Sequence, residues 1–575
     1  MNYELVTKLN FGSEIEDVLK YYGVTNTELF LHPKETSVES PYLFDNIELA
    51  SEVYLKHINN NDTISIVCDC DADGYTSASV MYQYTKRINQ NIKINYYIHK
   101  GKEHGLKDLL DEISKDDSKL IIVPDAGTED NLECETLISL GKDVIVLDHH
   151  SVDGSKNKAI VVNNQLSEKV TDKAMTGVGI VYKFCKVLDD KLNVNYADDY
   201  LDLVVVGMIG DRCDMFNPQT RYIVFNGMNI MRNKENKNLF ITKLMESQSF
   251  SMNNRVTIET VGFYLVPLIN AMIRLGEFEN KKLLFEAMCN SDKQLLRKIR
   301  GKGELMISIQ EYALKDCQSA HRKQKKLTEE QTEALTEDIV TMGLNKYPIL
   351  VCNAKDNVDS TFTGLIANQL ANKWNKPVLL LRRYGDNCSG SGRGYDKSYI
   401  RDLNKWCTDT GLFYKVKGHN NAMGVGITFE NTYKLFELLS TMENKPFLYH
   451  VFGEYDATKL PPSVICNFGN YSWVWGNNCE EPLFYIKNIN VSRFNVNLCG
   501  SKKNKIEFMY KNILFRKATR ASSLEEEYNK IVECGDFINF SVVGKFKVDY
   551  SNDKAPLVMI EDMEFEKGKR VNLFG

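Results

Sequence analysis

No stretch of this sequence stays apolar for the roughly 20 residues that a membrane-spanning helix needs, so no helical span and no membrane partner are expected. The opening residues, Met1-Asn2-Tyr3-Glu4-Leu5, lack the basic-then-apolar pattern of an export signal. A cytoplasmic location is therefore expected. The 14 cysteines include no CxxC pair, which suits free thiols in a reducing compartment better than a disulfide framework. An excess of positive charge is missing too. The net charge is -6, so the whole molecule does not advertise nucleic-acid binding, and only local patches can carry it. Internal repeats and low-complexity tracts are absent. What remains is ordinary globular composition, 43% hydrophobic and 26% charged. At 575 residues the chain is too long for one core, and about three or four domains are expected.

Hydrophobic patterning divides the chain. Residues 1–60 read as a helical lead-in. Residues 61–220 alternate apolar runs (64–67, 94–98, 120–123, 144–147 and 159–162) with amphipathic stretches such as 76–87, 129–140 and 178–188. Such alternation predicts an α/β domain with a parallel, doubly wound sheet. Residues 221–340 show no convincing strands. They end in a long, charged, proline-poor segment, 293–337, that reads as a bridging helix broken near Gly301 and Gly303. A second α/β pattern occupies 341–445, with strands near 349–351 and 378–381 and a glycine-rich loop, Ser389 to Gly394. Residues 446–479 read as a linker. From 480 to 575 alternating β segments predict a small OB-like barrel.

Four apolar runs in the first half end in acidic or imidazole side chains. They lead into Cys68-Asp69-Cys70-Asp71-Ala72-Asp73-Gly74, into Asp125, into Asp148-His149-His150 and into Asp211. Each run, including Val204 to Ile209 before Asp211, reads as a buried strand. Ligands of open α/β sheets collect at the carboxyl ends of strands. Carboxylates this close repel one another unless cations neutralise them, and imidazole beside them suits Mn²⁺ better than an all-oxygen site would. Taken singly, DxD before glycine also fits a turn or helix cap, and His-His also fits a structural pair. Cys68 and Cys70 could be soft ligands, but they read better as small residues packing beside the site. The four segments together are what point to a metal site.

These motifs resemble those of the DHH phosphoesterase superfamily. Thr176-Gly177-Val178-Gly179 and Pro267 to Gly276, with its Asn270-Ala271 and Arg274-Leu275-Gly276, resemble RecJ-type single-stranded-DNA-specific exonucleases in particular. Gly390-Ser391-Gly392-Arg393 and Gly418-His419-Asn420-Asn421-Ala422-Met423-Gly424 resemble the accessory DHHA1 domain. The resemblance implies two divalent ions, Mn²⁺ or Mg²⁺. One would be held by Asp73, Asp125, His149 and Asp211, the other by Asp71 and the bridging Asp125. Asp69 would be an additional ligand or lie behind one, Asp148 would orient an imidazole, and His150 would face the scissile phosphate. Asn270, Arg274, Ser391, Gly392, Arg393, Gly418 and His419 would contact substrate. Departures from the family pattern fall at Met272-Ile273, at Asp359, at Lys417 and at Ala126.

Independently of any resemblance, residues 501–520 carry Lys502, Lys503, Lys505, Lys511, Arg516, Lys517 and Arg520 around Phe508, Tyr510 and Phe515. Cations interleaved with rings suit a single strand, although rings alternating along a strand also suit a core. A second basic run, His321 to Lys326, reads as a solvated helix face. The whole predicts a monomeric metal-dependent exonuclease of single-stranded DNA, acting 5′ to 3′ in repair or recombination, with a helicase or single-strand-binding protein as candidate partner. Two rivals are a DHH phosphodiesterase of oligoribonucleotides or cyclic dinucleotides, and a silent single-strand-binding scaffold. The sequence leaves open the physiological metal, DNA against RNA, and a bacterial or phage origin.

Overall fold

The computed structural model describes all residues except 10, 11, 13, 153–156, 300, 302, 355–357, 359, 520–522, 551 and 570–575. Asp359 and Arg520 thus lie outside the described residues. The chain forms two compact units. One comprises Val24–Gln324 and Trp473–Glu480, the other Met1–Gly23, Lys325–Ser472 and Glu481–Gly575.

The first unit is built on a five-stranded sheet whose order is Ile94–Ile98, Ile64–Cys68, Leu120–Pro124, Asp143–Asp148, Ile160–Asn163. All four pairings are parallel. Ile64, Ile66, Val67, Ile121, Ile122, Val123, Ile145, Val146 and Leu147 are fully buried. That is why these strands read as unbroken apolar runs: both faces are covered. Burying each such side chain contributes about 1.5–3 kcal/mol. Leu109, Ile113, Cys134 and Leu137, from or beside the helices Leu110–Lys115 and Asn131–Ser139, cover one face. The helices Ala72–Ile88 and Gly177–Leu192 pack on the sheet as well.

Two expectations are corrected here. The run before Asp211 is not a strand but the helix Leu201–Gly210, buried from Leu201 to Ile209. A helix surrounded by protein is apolar all round, so its sequence has neither a period of 3.6 nor one of 2 to separate it from a buried strand. Strands also occur where none was expected. Gln294–Ile299 and Gly303–Ser308 form an antiparallel hairpin. Gly301 and Gly303, at φ +79° and +77°, turn the chain rather than kink a helix. The long helix starts after it, as Ile309–Thr341, and the division between units falls within it. His321 to Lys326 lies in that helix, with Arg322, Lys323, Lys325 and Lys326 exposed.

The second unit contains two sheets. One has the order Phe413–His419, Ala422–Thr428, Asn387–Arg393, Val378–Tyr384, Leu350–Asn353. The glycine-rich stretch read as a loop is therefore mostly the strand Asn387–Arg393. Its glycines answer to close approach: a Cβ on Gly390 would lie 1.9 Å from the Leu380 carbonyl oxygen. The other sheet has eight strands in the order Asn2–Leu5, Leu448–Asp456, Leu483–Ser492, Phe537–Asp549, Ala555–Lys567, Ile513–Ala518, Lys505–Tyr510, Val496–Cys499. The C-terminal β segments thus belong to a mixed sheet. It curls enough to bring Leu483–Ser492 close to Lys505–Tyr510, but no ladder closes it into a barrel among the described residues. It also recruits Asn2–Leu5 from the stretch read as helical, and Leu448–Asp456 from the stretch read as a linker.

Gly390→Ala should lower the stability of this unit by about 1–3 kcal/mol, because the added methyl meets backbone that has no rotamer to yield. A denaturant melt against the parent checks this, and an unchanged midpoint would show the sheet to be looser than described.

Candidate metal centre

The first sheet changes direction where the chain leaves Ile64–Cys68. It goes first to the neighbour Ile94–Ile98 and then crosses to Leu120–Pro124 on the other side. The crevice beyond the carboxyl ends at such a reversal is the place an α/β sheet offers a ligand. The Asp69 to Asp73 segment leaves the first strand there, Asp125 follows the third, and Asp148-His149-His150 leaves the fourth. Asp211 arrives differently, as the C-cap of the helix Leu201–Gly210.

Backbone groups aim the carboxylates. Asp71 caps the helix Ala72–Ile88, its Oδ1 accepting from the Gly74 N–H at 3.0 Å, so the capping reading of this motif holds for that one residue. Asp73 turns away and accepts from the N–H groups of Gly177 and Val178 at 2.8 and 3.0 Å. These N–H groups open the helix Gly177–Leu192, whose positive end favours the ionised carboxylate. Asp125 sits at φ +67°, a conformation in which a non-glycine residue stores strain. Its N–H donates to the Leu147 carbonyl at 2.8 Å, which fixes the carboxylate against the next strand. Gly177 approaches so closely that a Cβ there would lie 2.1 Å from Asp125 Oδ1.

The result is a cluster in four overlapping sets, each with its ligand atoms within 4.8 Å of one another: Asp73, His149 and Asp211; Asp125, His149 and His150; Asp69, Asp71 and Asp125; and Asp69, Cys70 and His104. His149 Nε2 lies 3.3 Å from Asp125 Oδ1 and 3.6 Å from Asp211 Oδ2. Asp125 Oδ1 is buried, yet it accepts no hydrogen bond. Burial raises the carboxyl pKa values of Asp73 and Asp125 well above the ordinary range. Asp211 and then Asp71 add to it at Asp73, and Asp73 and then Asp71 at Asp125. Burial, then Asp69, raises Asp71 as well. Asp116, also in this unit, shows what a satisfied carboxylate looks like. Burial pushes it up, but hydrogen bonds from Lys142, Ser118, Ser65 and Tyr97 hold it well below the usual range. No lysine is bonded in this way to Asp73 or Asp125 among the described residues. Their oxygen-rich set with imidazole beside it fits divalent metal.

Beside this cluster Asp148 is an anchor. It accepts from the N–H groups of Thr128, His149 and His150 and from His150 Nδ1 at 2.8 Å. Burial opposes its ionisation, yet the His150 hydrogen bond and charge keep its pKa well below the usual range. Burial likewise opposes charge on His150, but Asp148 raises it to about 9. The His150 ring, held by Asp148, therefore favours the imidazolium form at neutral pH. Asp69 is tied on its other side, to His104 Nδ1 at 2.6 Å and the Gly105 N–H at 3.2 Å. The hydrogen bond to Asp69 raises His104 to about 11. His104 was missed by sequence reasoning, since Glu103-His104-Gly105 carries no spacing signal. Cys70 Sγ lies 3.6 Å from His104 Nε2, while Cys68 is buried against the carbonyls of Asp69 and Gly74.

Asn270 Oδ1 accepts from the Ala72 N–H at 3.0 Å, so this residue braces the Asp71 to Asp73 turn. Burial lowers the Arg274 pKa, while Asp71 and then Cys70 pull it back up. The departure at Met272 and Ile273 is absorbed by burial of both within the helix Val266–Leu275. The stretch Ile258–Leu275 is long and apolar enough to cross a membrane by composition alone.

The remaining candidates lie in the other unit. Across the sheet, His419 pairs with Ala422 and Ala422 with Arg393; Lys417 pairs with Gly424 and Gly424 with Ser391. Paired residues share a face, so Arg393, Ser391, Lys417 and His419 project from one side over a floor of alanine and glycine, about 10 Å across. Gly392 points the other way, against Met423, and Gly418, at φ +132°, permits the close turn to Ala422. The C-terminal basic stretch is not a bare cationic surface. Lys502 pairs with Glu329, Lys503 with Glu525, Arg516 with Glu507 and Asp549, and Lys517 with Glu527. Lys505 is exposed. Phe508 and Phe515 are buried and stacked on each other, and Phe508 stacks on Phe540, so they are core rather than platforms for bases.

Raised carboxyl pKa values mean that the folded, metal-free centre holds protons that the unfolded chain releases. That contribution to stability is full below the ordinary carboxylate range and is lost as pH rises through the raised values. A bound divalent ion replaces those protons. The rise in thermal midpoint on adding Mn²⁺ should therefore grow from pH 5.5 to pH 8; a shift independent of pH would mean that the carboxylates are already ionised without metal.

Residues 63–208 match the DHH family, N-terminal domain. Over its whole length the chain is 34% identical to a Bacillus subtilis (strain 168) protein named "Putative SPbeta prophage-derived single-strand DNA-specific exonuclease YorK", and the alignment covers 100% of both. It is 25% identical to the single-stranded-DNA-specific exonuclease RecJ of the same organism, over 74% of this chain and 52% of that one. Its fold resembles the crystal structure of RecJ in complex with Mn²⁺ from Thermus thermophilus, with a TM-score of 0.73, 17% identity, and coverage of 99% of this chain and 80% of that one. The chain belongs to the RecJ-type family of DHH proteins.

Proposed function

We propose that this protein is a divalent-metal-dependent exonuclease that hydrolyses phosphodiester bonds of single-stranded DNA from the 5′ end, releasing mononucleotides in repair or recombination. The observation that carries this reading is the convergence of Asp71, Asp73, Asp125, His149 and Asp211 around a buried Asp125 oxygen that accepts no hydrogen bond. The names of the relatives, single-strand-specific exonucleases, support the substrate. The 5′ polarity rests on the family resemblance.

Asp73, Asp125, His149 and Asp211 would hold one ion, and Asp71 with Asp125 a second, Mn²⁺ or Mg²⁺. When bound, two such ions activate water and offset charge on the phosphate. The chain's own residues do the rest. The Gly177 and Val178 N–H groups fix Asp73, and the ladder bond to Leu147 fixes Asp125. His150, protonated through its bond to Asp148, offers Nε2–H to a phosphate oxygen. Arg274 forms no hydrogen bond or ion pair among the described residues and lies near enough to Asp71 to feel its charge. It would grip an adjacent phosphate. The basic face of Arg393, Lys417 and His419 would track the strand's phosphates, its glycines giving the backbone room to approach.

Asp125→Asn should abolish hydrolysis, because both ions lose a ligand, while leaving single-strand binding within about twofold. The assay uses end-labelled single-stranded DNA with Mn²⁺, blocked at either end, beside a blunt duplex and a dinucleotide. Mononucleotides released only when the 5′ end is free are expected. Rapid cleavage of the dinucleotide with long strands intact would move the protein to the small-substrate branch, and binding without cleavage would make it a scaffold.

A further inference from the structure

The first unit carries a second concave site that the metal chemistry does not use. It is a pocket of about 500 Å³ lined by Phe225, Asn229, Arg232, Asn254, Arg255 and Trp473, among others. Its wall comes from three distant parts of the chain: the C-terminal half of the helix Pro218–Arg232, the turn before Ile258, and the segment Trp473–Glu480. That last segment belongs to this unit although residues of the other unit flank it in sequence.

The pocket is held firmly. Arg221 is fully buried, with its guanidinium 3.9 Å from the Phe30 ring and 5.0 Å from the Phe225 ring. It donates to the Val474 carbonyl at 3.0 Å and to those of Phe30 and Met215. Arg212 donates to Asn477 Oδ1, Asn477 Nδ2 donates back to the Arg212 carbonyl, and the Met215 N–H donates to the Asn477 carbonyl. A cation buried against carbonyls thus anchors the residue next to Trp473 and supports the ring that meets it: Phe225 and Trp473 pack edge to face at 5.1 Å. On the opposite side Asn253 and Asn254 both adopt positive φ, +50° and +54°. Consecutive left-handed residues are strained, and such strain collects at binding sites. The turn is locked by bonds from Asn254 to Ser249 and from Arg255 to Met252, and Arg232 Nε donates to the Val256 carbonyl at 3.0 Å.

Chemically the pocket is positive and aromatic. Two guanidiniums face it, and no carboxylate is among the described residues that line it. Burial, and then the charge of Arg255, disfavours the charged form of Arg232. Asparagine amides add neutral donors and acceptors. An aromatic ring beside two guanidiniums, in a space of this size, matches a base with its phosphate.

We propose that this pocket binds one nucleotide unit of the single strand, its base against Trp473 and its phosphate between Arg232 and Arg255, as a holding point apart from the metal ligands. The inference rests on the proposed reading of single-stranded DNA as substrate. A strand gripped here while its end is hydrolysed would stay bound between cleavage events.

The test measures anisotropy of a labelled single strand of about 20 nucleotides, longer than one binding site, on the full-length protein in EDTA, so that binding is read without cleavage. Trp473→Ala and Arg255→Gln should each weaken binding about tenfold while the protein stays folded at the assay temperature, and should shorten the run of nucleotides released per encounter in Mn²⁺ without slowing hydrolysis of a trinucleotide. Parent-like affinity in both variants would overturn the proposal. So would saturable Trp473-dependent quenching by free dAMP alongside unaltered strand binding, which would reassign the pocket to a free nucleotide. A parent protein that binds but never cleaves would sink the nuclease reading, while the comparison of variants in EDTA still decides this one.

Discussion

The structure depends on one electrostatic constraint. Carboxylates brought to a buried crevice repel one another, and among the described residues no lysine or arginine is bonded to Asp73 or Asp125 to relieve it. Asp73 and Asp125 are almost inaccessible to water, and each shift is driven by burial and then by its acidic neighbours. Burying unpaired charge is so unfavourable that much of the surroundings serves to make it tolerable. The helix Gly177–Leu192 turns its N–H groups to Asp73, Thr176 caps that helix, and glycine at 177 leaves room for Asp125. The contrast with Asp116, surrounded by a lysine and three hydroxyls, separates a carboxylate that stabilises the fold from carboxylates that wait for a cation.

The same reasoning separates three kinds of positive charge. Arg221 is buried and bonded to carbonyls, so it ties segments together. Lys503, Arg516 and Lys517 sit in partly or fully exposed ion pairs, which contribute little to stability and are weakened by salt. Arg232 and Arg255 line a pocket whose described lining holds no carboxylate, and Arg274 forms no hydrogen bond or ion pair among the described residues, although it feels the charge of Asp71. Of these, Arg274 has electrostatic energy to gain from a phosphate. This ordering moves the nucleic-acid argument away from the C-terminal lysines, where residue counting had put it, because the helix Glu525–Glu533 sets acids against them.

Much of the catalytic half was legible in the sequence. The buried parallel strands declared themselves as short apolar runs, and the acids at their ends marked the crevice, because a sheet covered on both faces leaves polar residues only where the chain turns away. Legibility failed where pattern is degenerate. The helix Leu201–Gly210 reads like a strand because every side of it is buried. The strand Asn387–Arg393 reads like a loop because its glycines answer to backbone crowding rather than to a turn. The hairpin at 294–308 was hidden inside a charged stretch that resembled helix, although two glycines marked its tip.

The sequence by itself determined which side chains could carry chemistry here: the acid and histidine clusters, the glycines that must let backbone approach, and the family they resemble. It could do so because those residue types are local and their spacing is set by where strands end. Tertiary structure alone decided what each of them meets. It turned Asp71 into a helix cap and Asp73 into a carboxylate aimed by a distant helix, paired Asp69 with His104, buried Phe508 and Phe515, and carried Trp473 to Arg232 and Arg255. Those are contacts fixed by packing, mostly between residues tens to hundreds of positions apart, and no local pattern encodes them.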